Sequence, residues 1–190
     1  MKIGVIVGSI RKGRKGASVG QWVVEQAKAR GNEDFEYELV DLADFNLGLV
    51  DQEVIPGMAN RQYDNDAATA WSRKIDEFDG FVFVTAEYNH SIPGAFKNAF
   101  DWLAPEWAGK TVAFVGYGAD GGVRAVEHFR TVVANATMQA VRGQVSLSLF
   151  TEFDENGFRP EERRAGELAA ALDQLEGLTA TLRGRVDAMA

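Results

Sequence analysis

Ile3-Gly4-Val5-Ile6-Val7-Gly8-Ser9-Ile10-Arg11-Lys12-Gly13-Arg14-Lys15-Gly16-Ala17-Ser18 sets the frame for the rest of the chain. Lys2–Val7 is a short, β-branched apolar run stopped by Gly8, the pattern of a buried parallel strand. From Ala17 to Ala29 the spacing predicts a helix, closed near Gly31-Asn32. The connection between them carries Gly8, Gly13 and Gly16, the hydroxyls of Ser9 and Ser18, and the cations Arg11, Lys12, Arg14 and Lys15. Glycines let backbone amides turn toward a ligand. Hydroxyl and guanidinium groups donate to phosphate oxygens. The helix start adds a positive dipole end. These residues read as a phosphate cup at the carboxyl end of strand one. A solvated basic turn between strand and helix is the plainer alternative.

The chain has 190 residues, enough for one domain with a full core. Its formal net charge of -8 argues against a general nucleic-acid or membrane binder and makes the local cation cluster more informative. Without cysteine there is no disulfide framework, thiolate nucleophile or iron–sulfur cluster. The amino-terminal apolar run ends at Val7 with no cleavage-type segment, and no apolar stretch approaches the about 20 residues that span a bilayer. The expectation is a cytoplasmic protein. The sequons at Asn89-His90-Ser91 and Asn135-Ala136-Thr137 are read as incidental.

Further along, Tyr37–Leu42 alternates as strand two, and Ala43–Asn65 is a long loop around Pro56-Gly57. Ala67–Phe78 is a helix and Gly80–Thr85 a central strand. The strand runs into Ala86-Glu87-Tyr88-Asn89-His90-Ser91-Ile92-Pro93-Gly94, and a helix follows over Ala95–Leu103. Thr111–Val115 is strand four, ending in Gly116-Tyr117-Gly118-Ala119-Asp120-Gly121-Gly122. Val123–Thr137 is a helix, and Val141–Phe150 holds a fifth strand interrupted near Gly143-Gln144. Thr151–Arg159 is polar and turn-like, and Glu161–Val186 is helical. Alternating strands and helices predict an open parallel sheet with helices on both faces. The whole chain, 1–190, is read as a single domain in which 151–190 is a carboxyl-terminal helical extension. Ligands of such sheets bind beyond the carboxyl ends of the strands. The loops after strands one, three and four should therefore meet in one crevice.

Three short patterns fail on mechanical grounds. Gly16-Ala17-Ser18-Val19-Gly20 fits G-x-S-x-G, but a nucleophile elbow needs its serine on the turn directly after a strand. Ser18 sits at a helix start, and neither His90 nor His128 has an evident partner as base. Gly116-Tyr117-Gly118-Ala119-Asp120-Gly121 fits G-x-G-x-x-G, but the dinucleotide fingerprint belongs in the first βαβ unit with an acid about 20 residues on. Gly8–Lys15 resembles a Walker loop only loosely, since Arg14-Lys15-Gly16 lacks the hydroxyl that would hold Mg²⁺. Two isolated histidines and scattered acids give no metal-ligand spacing. No metal site and no catalytic side chain are expected.

Taken together, Gly8-Ser9-Ile10-Arg11, the segment Glu87–Gly94 with Lys97-Asn98-Ala99-Phe100-Asp101-Trp102 behind it, and Tyr117-Gly118 to Gly121-Gly122 resemble the NADPH-dependent FMN reductase family. The resemblance runs from Met1 to about Leu149. It implies a flavodoxin-like three-layer α/β sandwich, with a five-stranded parallel sheet of order 2-1-3-4-5, and a tightly held FMN. It places Ser9 and Arg11 on the FMN phosphate, with the remaining phosphate contacts from Ser18, Lys15-Gly16 or Ala17. Glu87, Tyr88 and Asn89, with Ser91 nearby, would lie along the ribityl chain and ring edge. Gly121 and Gly122 would offer backbone amides to the pyrimidine edge, with Tyr117 and Gly118 beside them. On the residues alone, Asn89 and Ser91 could equally cap the helix at Ala95, and Gly121-Gly122 could be an ordinary turn. Trp102, Phe96 and Phe100 are assigned to core or interface.

The resemblance implies an oxidoreductase in which NADPH or NADH gives hydride to FMN. A small-molecule acceptor then takes the electrons: a quinone, azo compound, free flavin or metal oxyanion. A homodimer or homotetramer is expected, with Tyr88, His90, Trp102 and Trp107 as candidate interface residues. Two rivals remain: a flavodoxin-like electron carrier without nicotinamide turnover, and a non-enzymatic nucleotide or phosphate sensor.

Overall fold

A computed structural model describes the backbone of residues 1–189 and the side chains of residues 1–184. Five strands form one parallel sheet in the order β2-β1-β3-β4-β5. They are β1 (Lys2–Val7), β2 (Glu36–Asp41), β3 (Gly80–Ala86), β4 (Thr111–Gly118) and β5 (Gln139–Ser148). The helices are α1 (Gly16–Ala29), α2 (Asp66–Asp76), α3 (Gly94–Asp101), α4 (Val123–Asn135) and α5 (Arg163–Met189). The alternation of strand and helix is that expected from the sequence pattern, and the strand order is the one the resemblance implied.

Side chains alternate across a strand, so each strand feeds two cores. On one face Phe81, Phe83, Phe114 and Ile6 meet Trp71 and Ile75 of α2, Phe96 and Phe100 of α3, and Phe129 of α4. On the other, Val5, Val82, Val84, Val115 and Leu147 meet Val19 and Val23 of α1 and Leu168 and Leu172 of α5. The first core is aromatic. Phe83 contacts the rings of Phe81, Phe96, Phe100, Trp107, Phe114 and Phe129. Each large side chain fully buried in this way stabilises the fold by about 1.5–3 kcal/mol.

Trp102 and Trp107, expected as interface candidates, are both 0% exposed within one chain. Their indole N–H groups donate to the carbonyls of Gly48 at 2.9 Å and Phe100 at 3.0 Å. Both are core residues packed into the first cluster, which corrects the interface assignment: their ring surface is buried and each indole N–H is already satisfied within the chain.

Other departures are local. β4 runs to Gly118, past the expected end at Val115, because Gly116, Tyr117 and Gly118 still pair with Ser146, Leu147 and Ser148 of β5. The stretch read as a polar turn holds a two-stranded antiparallel hairpin, β6 (Phe153–Asp154) and β7 (Gly157–Phe158). Its two phenylalanines supply an apolar anchor that the polar letters around them conceal. α4 stops at Asn135, short of Thr137, whose φ of 58° lies outside helical space. The break in β5 is present: pairing with β4 jumps from Ala140 to Gln144 between Val112 and Phe114.

The long connection after β2 holds two single turns of 3₁₀ helix, Leu42–Asp44 and Pro56–Met58. The Asn98 amide of α3 clamps it, donating to Gly48 O at 2.8 Å and accepting from Val50 N at 2.9 Å. Farther on, Tyr63 donates to the buried Glu106 carboxylate at 2.7 Å. Among the described residues no helix is long and apolar enough to cross a membrane.

Candidate functional site

The loops leaving β1, β3 and β4 meet at the carboxyl edge of the sheet around a cavity of about 290 Å³. The first loop contributes Ser9, Arg11, Gly13, Arg14 and Lys15, and the second Ala86, Glu87 and Tyr88. The end of β4 adds Tyr117, Gly118 and Ala119, and Leu149 follows β5. This is the edge where open α/β sheets place ligands.

The four cations of the first loop have different fates. Arg14 is committed. Its Nη1 donates to the Ser9 carbonyl and to Asp41 Oδ1, each at 2.7 Å, and Nη2 bonds the other oxygen of Asp41. Asp41, at the end of β2, also accepts from Ala43 N at 3.0 Å. Lys15 lines the cavity with its ammonium 4.8 Å from the centroid of the Phe153 ring. Arg11 and Lys12 are exposed, and among the described residues neither has an ion-pair partner. Among the described cavity cations, Arg11 and Lys15 are thus the ones whose charge no carboxylate offsets, whereas that of Arg14 is met by Asp41.

Hydroxyls converge on the same end. Ser9 is 2% exposed, with Oγ 3.2 Å from the Tyr88 hydroxyl. Tyr117 reaches the start of α1. A Cβ added at Gly16 would lie 2.7 Å from its hydroxyl oxygen, so only glycine lets helix and tyrosine approach this closely. Burial pushes the Tyr117 hydroxyl up to about 12, so it is neutral and able to donate at ordinary pH.

The second loop makes a tight turn. Tyr88 N donates to Ser91 O and Ser91 N to Tyr88 O, both at 3.0 Å. Asn89 and His90 between them have φ of 49° and 65°, the positive values a two-residue type I′ turn requires. Ser91 Oγ sits 2.9 Å from His128 Nδ1 on α4. α3 begins after Pro93 with no side-chain cap, so neither Asn89 nor Ser91 caps it.

Glu87 has a second duty. Its carboxylate accepts from Arg124 N at 3.0 Å and from Arg124 Nη1 at 2.7 Å. Gly122, the residue before α4, has no side chain to cap that helix, and Glu87 does so from the neighbouring loop. Gly121 and Gly122 both have φ of 72°. A Cβ at Gly122 would lie 2.7 Å from Tyr117 N, so this pair folds the connection flat against β4.

Of the residues anticipated from the sequence, Ser9, Arg11, Lys15, Glu87, Tyr88, Tyr117 and Gly118 line the cavity together. Gly16, Ala17 and Ser18 form the first turn of α1 beside it, where the Ser18 hydroxyl donates to Lys15 O at 2.8 Å. Asn89 and Ser91 lie in the adjoining turn, and Gly121 and Gly122 stand behind the wall made by Gly118 and Ala119. Gly13 and Arg14 lie in the expected cup without having been assigned a contact, and sequence reasoning missed Ala86, Ala119 and Leu149 as lining residues. Leu149 was findable, since it sits at the carboxyl end of β5. The Arg14–Asp41 pair had no signal, because the two residues meet only through the pairing of β1 with β2.

The donor set fits a phosphomonoester carrying a flat, partly apolar group. Buried hydroxyls, Arg11, Lys15 and the α1 amino terminus sit at one end. The rings of Tyr88 and Tyr117, the Gly118 backbone and Leu149 complete the lining. The sheet is that of a flavodoxin-like α/β protein, with a cavity lined by hydroxyls and cations at the end of its first strand.

Comparison with known proteins narrows the class. The model of the NADPH-dependent FMN reductase family matches residues 1–152. An NAD(P)H-dependent FMN reductase from Schizosaccharomyces pombe is 38% identical over 148 residues, 78% of this chain and 73% of that one. A Nectria FMN reductase is 43% identical over 126 residues, 65% of this chain; the match spans 63% of that relative's own length. An NAD(P)H:quinone oxidoreductase from Solanum tuberosum is 30% identical over 195 residues, covering 98% of this chain and 97% of the relative. Among solved structures, the FerB NAD(P)H:(acceptor) oxidoreductase of Paracoccus denitrificans aligns with a TM-score of 0.72 at 21% identity, over 93% of this chain and 97% of that one. A Streptococcus pneumonia flavodoxin aligns with a TM-score of 0.57 at 12% identity, over 93% and 99%. At those identities the structural likeness is one of fold. The chain belongs to the NADPH-dependent FMN reductase family. It is an NAD(P)H-dependent reductase enzyme of the FMN and quinone reductase type.

Proposed function

We propose that the cavity holds FMN and that the enzyme passes electrons from NAD(P)H to a quinone. The observation that carries the site is that a buried Ser9 hydroxyl and two cations without a carboxylate partner, Arg11 and Lys15, line one cavity beside the start of α1. Ser9, Arg11 and Lys15 would hold the phosphate, with the first-turn amides of Gly16, Ala17 and Ser18 supporting them. Tyr88, Tyr117, Gly118 and Leu149 would flank the flavin, with Glu87, Asn89 and Ser91 at its edge and Gly121-Gly122 stiffening the wall behind. When bound, FMN would supply the redox chemistry, hydride transfer between reduced nicotinamide and the acceptor, while these residues would hold it.

The chain's own groups bind and orient. Arg11 offers two donors in a fixed fork to phosphate oxygens. Tyr117, held neutral by burial, donates without adding charge. The Tyr88–Ser91 turn has both central residues fixed, so it presents a rigid edge. No side chain is needed as general acid or base. A quinone is the proposed acceptor because the relatives from Solanum tuberosum and Burkholderia are named for quinone substrates.

Steady-state oxidation of NADPH with 1,4-benzoquinone as the only acceptor tests the reading. Turnover that saturates with quinone is expected. Transfer only to another redox protein, with none to the quinone, would favour the electron-carrier alternative.

A further inference from the structure

The family match stops at residue 152, and the next residue touches the site. Phe153 opens β6 and pairs with Phe158 of β7. It is 9% exposed and held between rings, with Phe158 at 5.0 Å and Tyr117 at 6.2 Å between centroids. Phe158 in turn meets Trp22 of α1 edge-on at 5.5 Å. The hairpin is thereby wedged between α1 and the carboxyl end of β4.

Over the Phe153 ring lies the Lys15 ammonium, 4.8 Å from the centroid. Lys15 immediately precedes α1 and lines the cavity. A lysine is a hydrated point charge on a flexible stem, and ordering it costs rotamer entropy. A carboxylate partner would order it but offset its charge, as Asp41 does for Arg14. An aromatic face orders it and leaves the full charge available to an anion.

We propose that Phe153 is a positioning residue for the anion end of the cavity. It holds the Lys15 ammonium where a phosphomonoester at the α1 amino terminus meets it. The hairpin beyond the family-matched residues thus takes part in recognising the ligand. The inference rests on the reading that the cup receives the FMN phosphate.

FMN and riboflavin differ only in that phosphate, so the ratio of their dissociation constants reads the phosphate contact and cancels effects on the ring site. Both constants are obtainable from quenching of flavin fluorescence by the full-length apoprotein. Phe153→Leu keeps apolar bulk and removes the ring face. It should lower the preference for FMN about threefold, the scale of an exposed cation–π contact, with riboflavin binding unchanged. Phe153→Tyr should restore the preference. Lys15→Met should lower it further, and Phe153→Leu should add nothing in that background. Phe153→Met serves as a second ring-less variant should the leucine variant fail to fold. An unchanged preference in the ring-less variants, additive losses with Lys15→Met, or equal losses for both flavins would overturn the inference and leave the FMN reading standing. A wild-type chain that binds FMN and riboflavin alike would overturn the phosphate reading itself, and the inference with it.

Discussion

Arg11 and Arg14 stand three positions apart in the chain, and their surroundings give them different work. Arg14 is locked to Asp41 and the Ser9 carbonyl, whereas Arg11 faces the cavity with no carboxylate beside it. Arg11→Ala should weaken FMN binding by about 1.5–3 kcal/mol, the scale of a charged hydrogen bond, as read by flavin fluorescence titration. Asp41→Asn should leave Arg11 in place but loosen the loop. The expected loss is about 1 kcal/mol in urea unfolding, since the pair is only part-buried. Composition shows a cluster of cations after strand one, and that much of the cup was legible. Which cation is taken up by a carboxylate depends on what β2 brings alongside β1, and no local pattern encodes that.

At the scale of elements, the turn at Tyr88–Ser91 is the sharpest constraint on the site. Asn89 holds a left-handed φ that a β-branched residue resists. Asn89→Val should cost about 1–3 kcal/mol in thermal or urea unfolding, and Asn89→Gly should cost little. The sequence motif around Asn89 was visible, but whether it capped α3 or formed its own turn was not. The reciprocal Tyr88–Ser91 hydrogen bonds decide it. The glycines at 116 and 118 were misleading in the opposite direction. They weaken strand propensity, yet strands on both sides keep that segment in the sheet. The Phe153–Phe158 hairpin was hidden for a related reason: its two anchors are separated by polar turn residues, and only their packing against α1 makes them a unit.

At the scale of the whole molecule, the parallel sheet was legible because its three central strands are short apolar runs set between helical periods. Its order came with the family resemblance. The aromatic core was less so. Trp102 and Trp107 look like interface residues in a chain expected to self-associate, and they are sealed inside one chain instead. Exposed apolar side chains cluster on the long loop, Leu49, Val54, Ile55 and Met58 among them, with Ile10 and Phe150 exposed elsewhere, and the loop cluster is the candidate surface for an assembly. A dimer or tetramer in gel filtration should therefore be weakened by Met58→Lys and Leu49→Lys together; unchanged assembly would place the interface elsewhere.

Attachment of α5 makes stability acid-sensitive. Burial alone would raise the Glu176 carboxyl, but hydrogen bonds from Arg30, Tyr37 and Asn32 outweigh it and hold it below the ordinary 4.5. A depressed folded-state value gives stability that is present above the unfolded value and lost as pH falls through the folded one. The gap in unfolding free energy between wild type and Glu176→Gln should shrink as pH falls below about 4.5. A gap that holds constant through that range would remove Glu176 from the acid response.

The most direct test of the account is the absorption spectrum of the purified protein, reconstituted with FMN, before and after NADPH is added without oxygen. The account predicts flavin bands that bleach on mixing and return when a quinone is supplied. A protein that takes up no flavin, or whose bands persist in the presence of NADPH, would contradict it.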